Sequence, residues 1–124
     1  MSDNNALELA KDFAVDVINL CREITNVQRE SILTNQLMRS ATSIGANLHE
    51  SIYAQSTADF ISKKQIALKE CHESEYWLEL LHRTHYITTA QYRPLQNACG
   101  SLRRILIASI NSLKGISPTP SPED

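Results

Sequence analysis

Apolar residues recur at steps of three and four along most of this chain. In the first segment Leu7, Ala10, Phe13, Ala14, Val17, Ile18, Cys21 and Ile24 trace a single stripe, the 3.6-residue period of an amphipathic helix from about Ala6 to Thr25. Asp3 or Asn4 stands where its N-cap is expected. The period breaks in "TNVQRESILTN", which places a connection at Asn26 to Arg29. A second helix is predicted from about Ser31 to Ala54. The third opens near Thr57, where "STADF" offers a hydroxyl cap with Asp59 in the first turn, and runs without a breaker to about Tyr86. A fourth begins between Thr89 and Pro94, because proline is comfortable only in a first turn. Its main stripe is Leu95, Ala98, Leu102, Ile105, Leu106, Ser109 and Leu113, while Ile107 and Ile110 put apolar groups on a second face.

Glycine is scarce, proline is confined to Pro94 and the tail, and no segment alternates with period two. The fold class is therefore all-α. Short connections between four helices predict an up-and-down antiparallel bundle, a single domain over residues 1–114. The Pro/Ser-rich tail over 115–124, "GISPTPSPED", has no core residues and is expected to be disordered. The two apolar faces of the fourth helix call for a neighbour outside the bundle, and so for self-association.

The second helix is unusual. "QLMRSATSIGANLHES" is rich in small and polar residues, yet helical spacing sorts it into two lines. Leu37, Ala41, Ile44, Leu48 and Ile52 form a core face, and Gln36, Ser40, Ser43, Asn47 and Glu50 form a polar line beside it. On the third helix Ile61, Leu68, Cys71, Leu78 and Leu81 share one face, and Ile66, Glu70, Glu73, Trp77 and Leu80 another. With these two helices antiparallel about a turn near Ser56, residues whose numbers sum to about 112 lie at one height. Arg39 then meets Glu73 or Glu70, Ser43 lies level with Lys69 and Glu70, and Glu50 meets Lys63. A polar seam of Arg39, Ser40, Ser43, Asn47, Glu50, Glu70 and Glu73 is expected between the helices, with Ser40, Ser43 and Asn47 supplying hydrogen bonds. Gly45 and Ala46 offer a place for another backbone to approach.

Two motifs in this region, "LMRSATSIGANLHES" and "DFISKKQIALKECHESEYWLELL", resemble the bacterial four-helix bundle proteins encoded in intervening sequences of 23S rRNA genes. They are similar also to the accessory proteins of diversity-generating retroelements. The resemblance spans about Phe13 to Lys114, and Arg39, Ser40, Ser43, Asn47, Glu50, Glu70 and Glu73 match recurrent positions of the family. It implies an up-and-down four-helix bundle assembling as a ring-like homopentamer. Retroelement accessory members bind a reverse transcriptase and nucleic acid through a basic surface, and this chain departs from them in its net charge.

That charge is -2 at pH 7, with 42% hydrophobic and 21% charged residues, the composition of a soluble globular chain without the overall basic footprint of a nucleic-acid binder. The distribution is uneven. Met1 to Glu30 carries six acids and three bases, whereas Thr88 to Lys114 carries Arg93, Arg103, Arg104 and Lys114 and no acid. Those four are the candidate nucleic-acid contacts. No apolar run approaches the roughly 20 residues of a membrane span, and the acidic N-terminus lacks the pattern of a signal peptide. A cytoplasmic location and no membrane partner are expected.

Candidate chemistry adds little. Cys21, Cys71 and Cys99 are odd in number and fall among apolar residues, as buried reduced thiols do. A di-iron bundle needs two Glu-x-x-His motifs, and only Glu79 with His82 supplies one. His82 and His85 read as a polar helix end, and Cys71 and His72, being adjacent, diverge by about 100° on a helix. Tyr76 and Trp77 read as a core or interface anchor. No catalytic residue, metal ligand or cofactor is predicted. The expectation is a non-enzymatic, self-associating helical scaffold or partner-binding module, with an RNA- or DNA-binding accessory protein as the alternative.

Overall fold

The computed structural model describes residues 3–115, with side chains from Asn5 onward. It contains four helices: α1 (Asp3–Gln28), α2 (Ile32–Ile52), α3 (Thr57–Arg83) and α4 (Thr89–Leu113). Each packs on its neighbours in sequence and α1 closes against α4, while the diagonal pairs stay apart. This is the up-and-down bundle that the short connections predict. Its core is the union of the four inner stripes, including Phe13, Val17 and Ile24 of α1, Leu37 and Ile44 of α2, Leu78 and Leu81 of α3, and Leu102 and Leu106 of α4. Each large apolar side chain withdrawn there contributes about 1.5–3 kcal/mol. None of the described helices is long and apolar enough to cross a membrane.

Helix ends depart from the sequence reading in instructive ways. α1 has begun by Asp3 and runs to Gln28; the side chains on which the N-cap expectation at Asp3 or Asn4 rests lie outside those described. It stops because Arg29 turns left-handed, at φ 60°. α2 is capped by Glu30, not by its flanking hydroxyl. Ser31 makes no side-chain cap bond, whereas the Glu30 carboxylate accepts from the amides of Leu33 at 2.7 Å and Thr34 at 3.1 Å. The third helix ends at Arg83, three residues before the predicted Tyr86, with His85 left-handed at φ 65°. The amides of His85 and Tyr86 bond back to the carbonyls of His82 and Leu81 at 3.1 and 3.0 Å, the bond pattern usually associated with a glycine at this position. Without a glycine, the sequence carried no stop signal.

α4 starts at Thr89 through a full capping box. Thr88 Oγ1 accepts from the Gln91 amide at 3.1 Å and Gln91 Oε1 from the Thr88 amide at 2.8 Å. Pro94 is therefore the sixth helical residue, beyond the first turn expected for it. Only Gly115 of the 115–124 tail lies among the described residues.

Packing also corrects three stripe assignments. Ile52 is 44% exposed, and Ser51 is buried in its place, bonded to the Leu48 carbonyl at 2.6 Å. Ile110 is buried, leaving Ile107 as the exposed isoleucine of α4. On α3, Ile61 and Leu68 are only half-buried, and Lys64, Ala67 and Ser74 occupy the centre.

Candidate functional site

The polar seam between α2 and α3 exists in a compact form. Arg39 donates through Nη1 to Glu70 Oε2 at 3.4 Å and through Nη2 to Glu73 Oε1. Glu73 Oε1 also accepts from Trp77 Nε1 at 3.4 Å, which ties the indole to the charged cluster. Beneath them Ser40 and Ser74, both fully buried, share a hydrogen bond of 2.8 Å. Toward the α2–α3 turn, Lys63 Nζ reaches Glu50 Oε1 at 3.6 Å. The antiparallel register follows from two pairs about three turns apart, since Arg39 and Glu50 are eleven residues apart on α2 while Glu73 and Lys63 are ten apart on α3. Arg39 with Glu73 and Glu50 with Lys63 sit at the predicted heights.

Two members of the seam do something else. Asn47 turns along its own helix and donates to the Ser43 carbonyl at 2.8 Å, and neither Ser43 nor Asn47 bonds to α3 among the described contacts. A short side chain one turn from the axis of closest approach finds its own backbone nearer than the neighbouring helix. Ser74 was the missed partner. It stands one turn from Glu70 and lies on the helix face between the two lines that sequence separated, so its role was hidden at their boundary. Gly45 does mark a close approach, since a Cβ there would lie 3.6 Å from Ala10 Cβ on α1. Ala46 is exposed and serves no such role.

The basic residues of α4 divide. Arg103 donates from Nε to Glu75 Oε1 at 2.9 Å and so belongs to the α3–α4 contact. Arg93, Arg104 and Lys114 are exposed, and none of the three forms an ion pair among the described residues. Arg93 and Arg104 lie eleven residues apart, about three turns, and share one side of the helix.

The thiols are buried and reduced. Burial, assisted by the Glu30 carboxylate, pushes Cys21 up to about 12. Cys99, whose Sγ lies 3.3 Å from the Cys71 carbonyl, is raised by its hydrogen bond to Cys71 and by burial. Neither is a nucleophile near neutral pH. Cys71 is buried and His72 exposed, so the pair does not meet. His82 stacks on Tyr92 at 4.3 Å and shares a 3.0 Å hydrogen bond with Thr89 Oγ1, bracing the α3–α4 turn. No group of three or more His, Cys, Asp or Glu with metal-binding geometry occurs among the described residues.

A charged residue to which the sequence reading gave no role is buried. Lys64 is 2% exposed and donates to Ser109 Oγ at 2.6 Å across the α3–α4 interface. Its signal was present: Lys64 stands seven residues before Cys71 and fourteen before Leu78, on the face that turns inward.

The fold that carries these features agrees with comparisons to known proteins. The chain is similar to a crystallised protein of unknown function from the S23 ribosomal protein family of Bacteroides thetaiotaomicron, with 48% sequence identity, a TM-score of 0.87, and coverage of 90% of this chain and 99% of that one. No curated protein matches it. The family model described as 23S rRNA-intervening sequence protein matches residues 2–108, taking in all of the α2–α3 seam and most of α4. By that match, this chain belongs to the 23S rRNA-intervening sequence protein family.

Proposed function

We infer that the protein is a non-enzymatic, self-associating helical scaffold that binds a partner, and that it assembles as a ring-like homopentamer in the cytoplasm. The observation that carries this reading is the apolar surface left outside the bundle. Ile66 is 39% exposed, and from it helical steps run outward along α3 through Glu73 and the half-buried Trp77 and Leu80, beside Arg39 of α2. An apolar edge interrupted by an anchored charge cluster is the composition of an interface, where aromatic anchors are surrounded by oriented polar groups. Ile107 on α4 and Val15 on α1 add exposed apolar groups on other sides, and a ring needs two different faces on each subunit. Light scattering tests the reading. Five times the 13.9 kDa subunit mass is expected, and a monomer at micromolar concentration refutes it.

A nucleic-acid accessory role, as in the retroelement proteins that the sequence resembles, is the second reading. Arg93, Arg104 and Lys114 favour it, because repetition around a ring raises the effective concentration of weak cationic patches. A gel shift with RNA and with DNA at low salt decides: retention that vanishes as salt rises supports it, and no retention at low salt removes it.

A further inference from the structure

Exposed charge on the first and last helices is sorted by sign. On α1, Asp12, Asp16 and Glu23 are exposed and share one line with Asn19, at steps of four, three and four. None of the three acids forms an ion pair among the described residues. Lys11 and Arg22 adjoin members of this line in sequence and so lie about 100° away from them around the helix. On α4 the counterpart is Arg93, Asn97, Gly100, Arg104 and Ile107, at steps of four, three, four and three, with no acid from Thr88 to Lys114. Gly100 leaves the centre of this line without a side chain, and the Arg104 guanidinium lies over it, Nη1 3.4 Å from where a Cβ would stand. Among the described residues the hydrogen-bond partner of that guanidinium is a hydroxyl, Ser101 Oγ, at 3.3 Å.

The two lines are also level. Within one chain Gln28 Nε2 donates to the Tyr86 carbonyl at 2.8 Å, and a cavity of about 310 Å³ is lined jointly by Leu20 and Glu23 of α1 and Gln91 and Leu95 of α4. Residues of the two helices whose numbers sum to about 115 therefore lie at one height. Rotation about an axis parallel to the bundle carries a copy sideways and changes no height. It sets Glu23 of one copy level with Arg93 of the next, Asn19 with Asn97, Asp16 with Gly100 and Asp12 with Arg104, each to within about 1.5 Å by the rise of a helix. One step further, half-buried Leu9 meets Ile107, which is 37% exposed. Five rungs at alternating steps of four and three have the spacing at which two helices pack along a seam. Acid faces base at two of them, Asp16 faces bare backbone beside a guanidinium, and no like charges meet.

We propose that the acidic line of α1 docks antiparallel on the basic line of α4 in a second copy of this chain, through the pairs Asp12–Arg104 and Glu23–Arg93. The proposal rests on the self-association inferred above and names the two unlike faces that a ring requires. Charge complementarity selects the occupant: a nucleic acid matches the α4 line alone, whereas a second copy matches both lines at once. Exposed ion pairs of this kind fix register and orientation more than they add affinity, so reversing their charges perturbs the contact more than deleting them.

Light scattering and sedimentation of the full chain at micromolar concentration test the contact. The double variants Arg93→Glu, Arg104→Glu and Asp12→Lys, Glu23→Lys each set like charges opposite one another. Each should raise the dissociation constant of the assembly at least tenfold, toward the 13.9 kDa subunit. Carrying all four changes in one chain restores opposite signs at both rungs and should recover the wild-type mass. Asn19→Cys with Asn97→Cys gives a readout independent of charge, and decides the matter if a reversed variant does not fold: copper-catalysed oxidation should join copies into covalent multimers that a reducing agent releases. Wild-type mass in either double variant, no recovery in the fourfold variant, or no multimers from the cysteine pair overturns the proposal and leaves self-association standing. A monomeric wild-type chain removes self-association and this contact with it. Native mass with a lost low-salt gel shift in Arg93→Glu, Arg104→Glu overturns the contact in favour of nucleic acid.

Discussion

Replacing Arg39 with methionine keeps the aliphatic stem along α2 and removes the guanidinium that faces Glu70 and Glu73. The consequences differ for the two carboxylates. The Glu70 side chain is only 10% exposed, so little water can take the place of Nη1, 3.4 Å away. Glu73 is 28% exposed and keeps Trp77 Nε1 as a donor. Breaking one side of a fully buried pair costs about 3–5 kcal/mol and losing an exposed pair about 0.2–1. Arg39 is itself 51% exposed, which screens the interaction and places Arg39→Met between these limits, at about 1–2 kcal/mol. A double-mutant cycle with Glu70→Gln should return a coupling of about 1 kcal/mol, and one with Glu73→Gln about 0.5 or less. Arg39→Met combined with Glu70→Leu should recover most of the lost stability, because no charge then remains buried without a partner. Urea unfolding followed by far-UV circular dichroism measures all of these, at one fixed chain concentration because assembly makes stability depend on it. A loss below about 0.3 kcal/mol in Arg39→Met, or a stronger coupling to Glu73 than to Glu70, refutes the burial argument.

The Ser40–Ser74 bond gives a sharper test: Ser40→Ala should cost about 1–2 kcal/mol in urea unfolding by stranding the buried Ser74 hydroxyl, Ser74→Ala should cost less because Ser40 Oγ keeps the Leu37 carbonyl at 3.2 Å, and the double change should cost less than the two singles together. Gly45→Ala adds a methyl at ordinary contact distance from Ala10 and removes a flexible residue from mid-helix, so the melting temperature should rise, by the equivalent of about 0.5–1 kcal/mol; a fall would mean that α1 and α2 are closer than described. At pH 8 a Cys21 thiol titrating at about 12 is only about one part in ten thousand thiolate, so the folded protein should resist an aromatic disulfide reagent that labels all three cysteines in guanidinium chloride. The same upward shift implies that the Cys21 contribution to stability is level below pH 9, the thiol's ordinary value, and is lost as pH rises from there toward about 12, because the unfolded chain loses its thiol proton first. Thermal melts at stepped pH check the direction, and a rise in stability across that window would contradict it.

Periodicity was enough to identify the bundle. Three- and four-residue steps place Leu37, Ala41, Ile44 and Leu48 inside, and they are all buried. Antiparallel arithmetic on the α2–α3 hairpin found Arg39 opposite Glu73 and Glu50 opposite Lys63, since rise per residue is the same on both helices and one short turn sets the offset. What depends on rotation about the helix axis was less legible. Ser43 and Asn47 lie at the right height but not at the right angle to bond α3, and Ser74 lies at both.

By itself the sequence determined the helix count, the antiparallel order and the register of α2 on α3, because these follow from local spacing and short connections. Only the tertiary structure decided where α3 stops, since left-handed His85 carries no glycine to announce it. It also decided which α4 isoleucine is left exposed and that Lys64 is an interior residue, because both depend on where a third element closes over the face. A helix dictates which residues share a side, but the neighbours that arrive from elsewhere in the chain determine whether that side is core, seam or cavity.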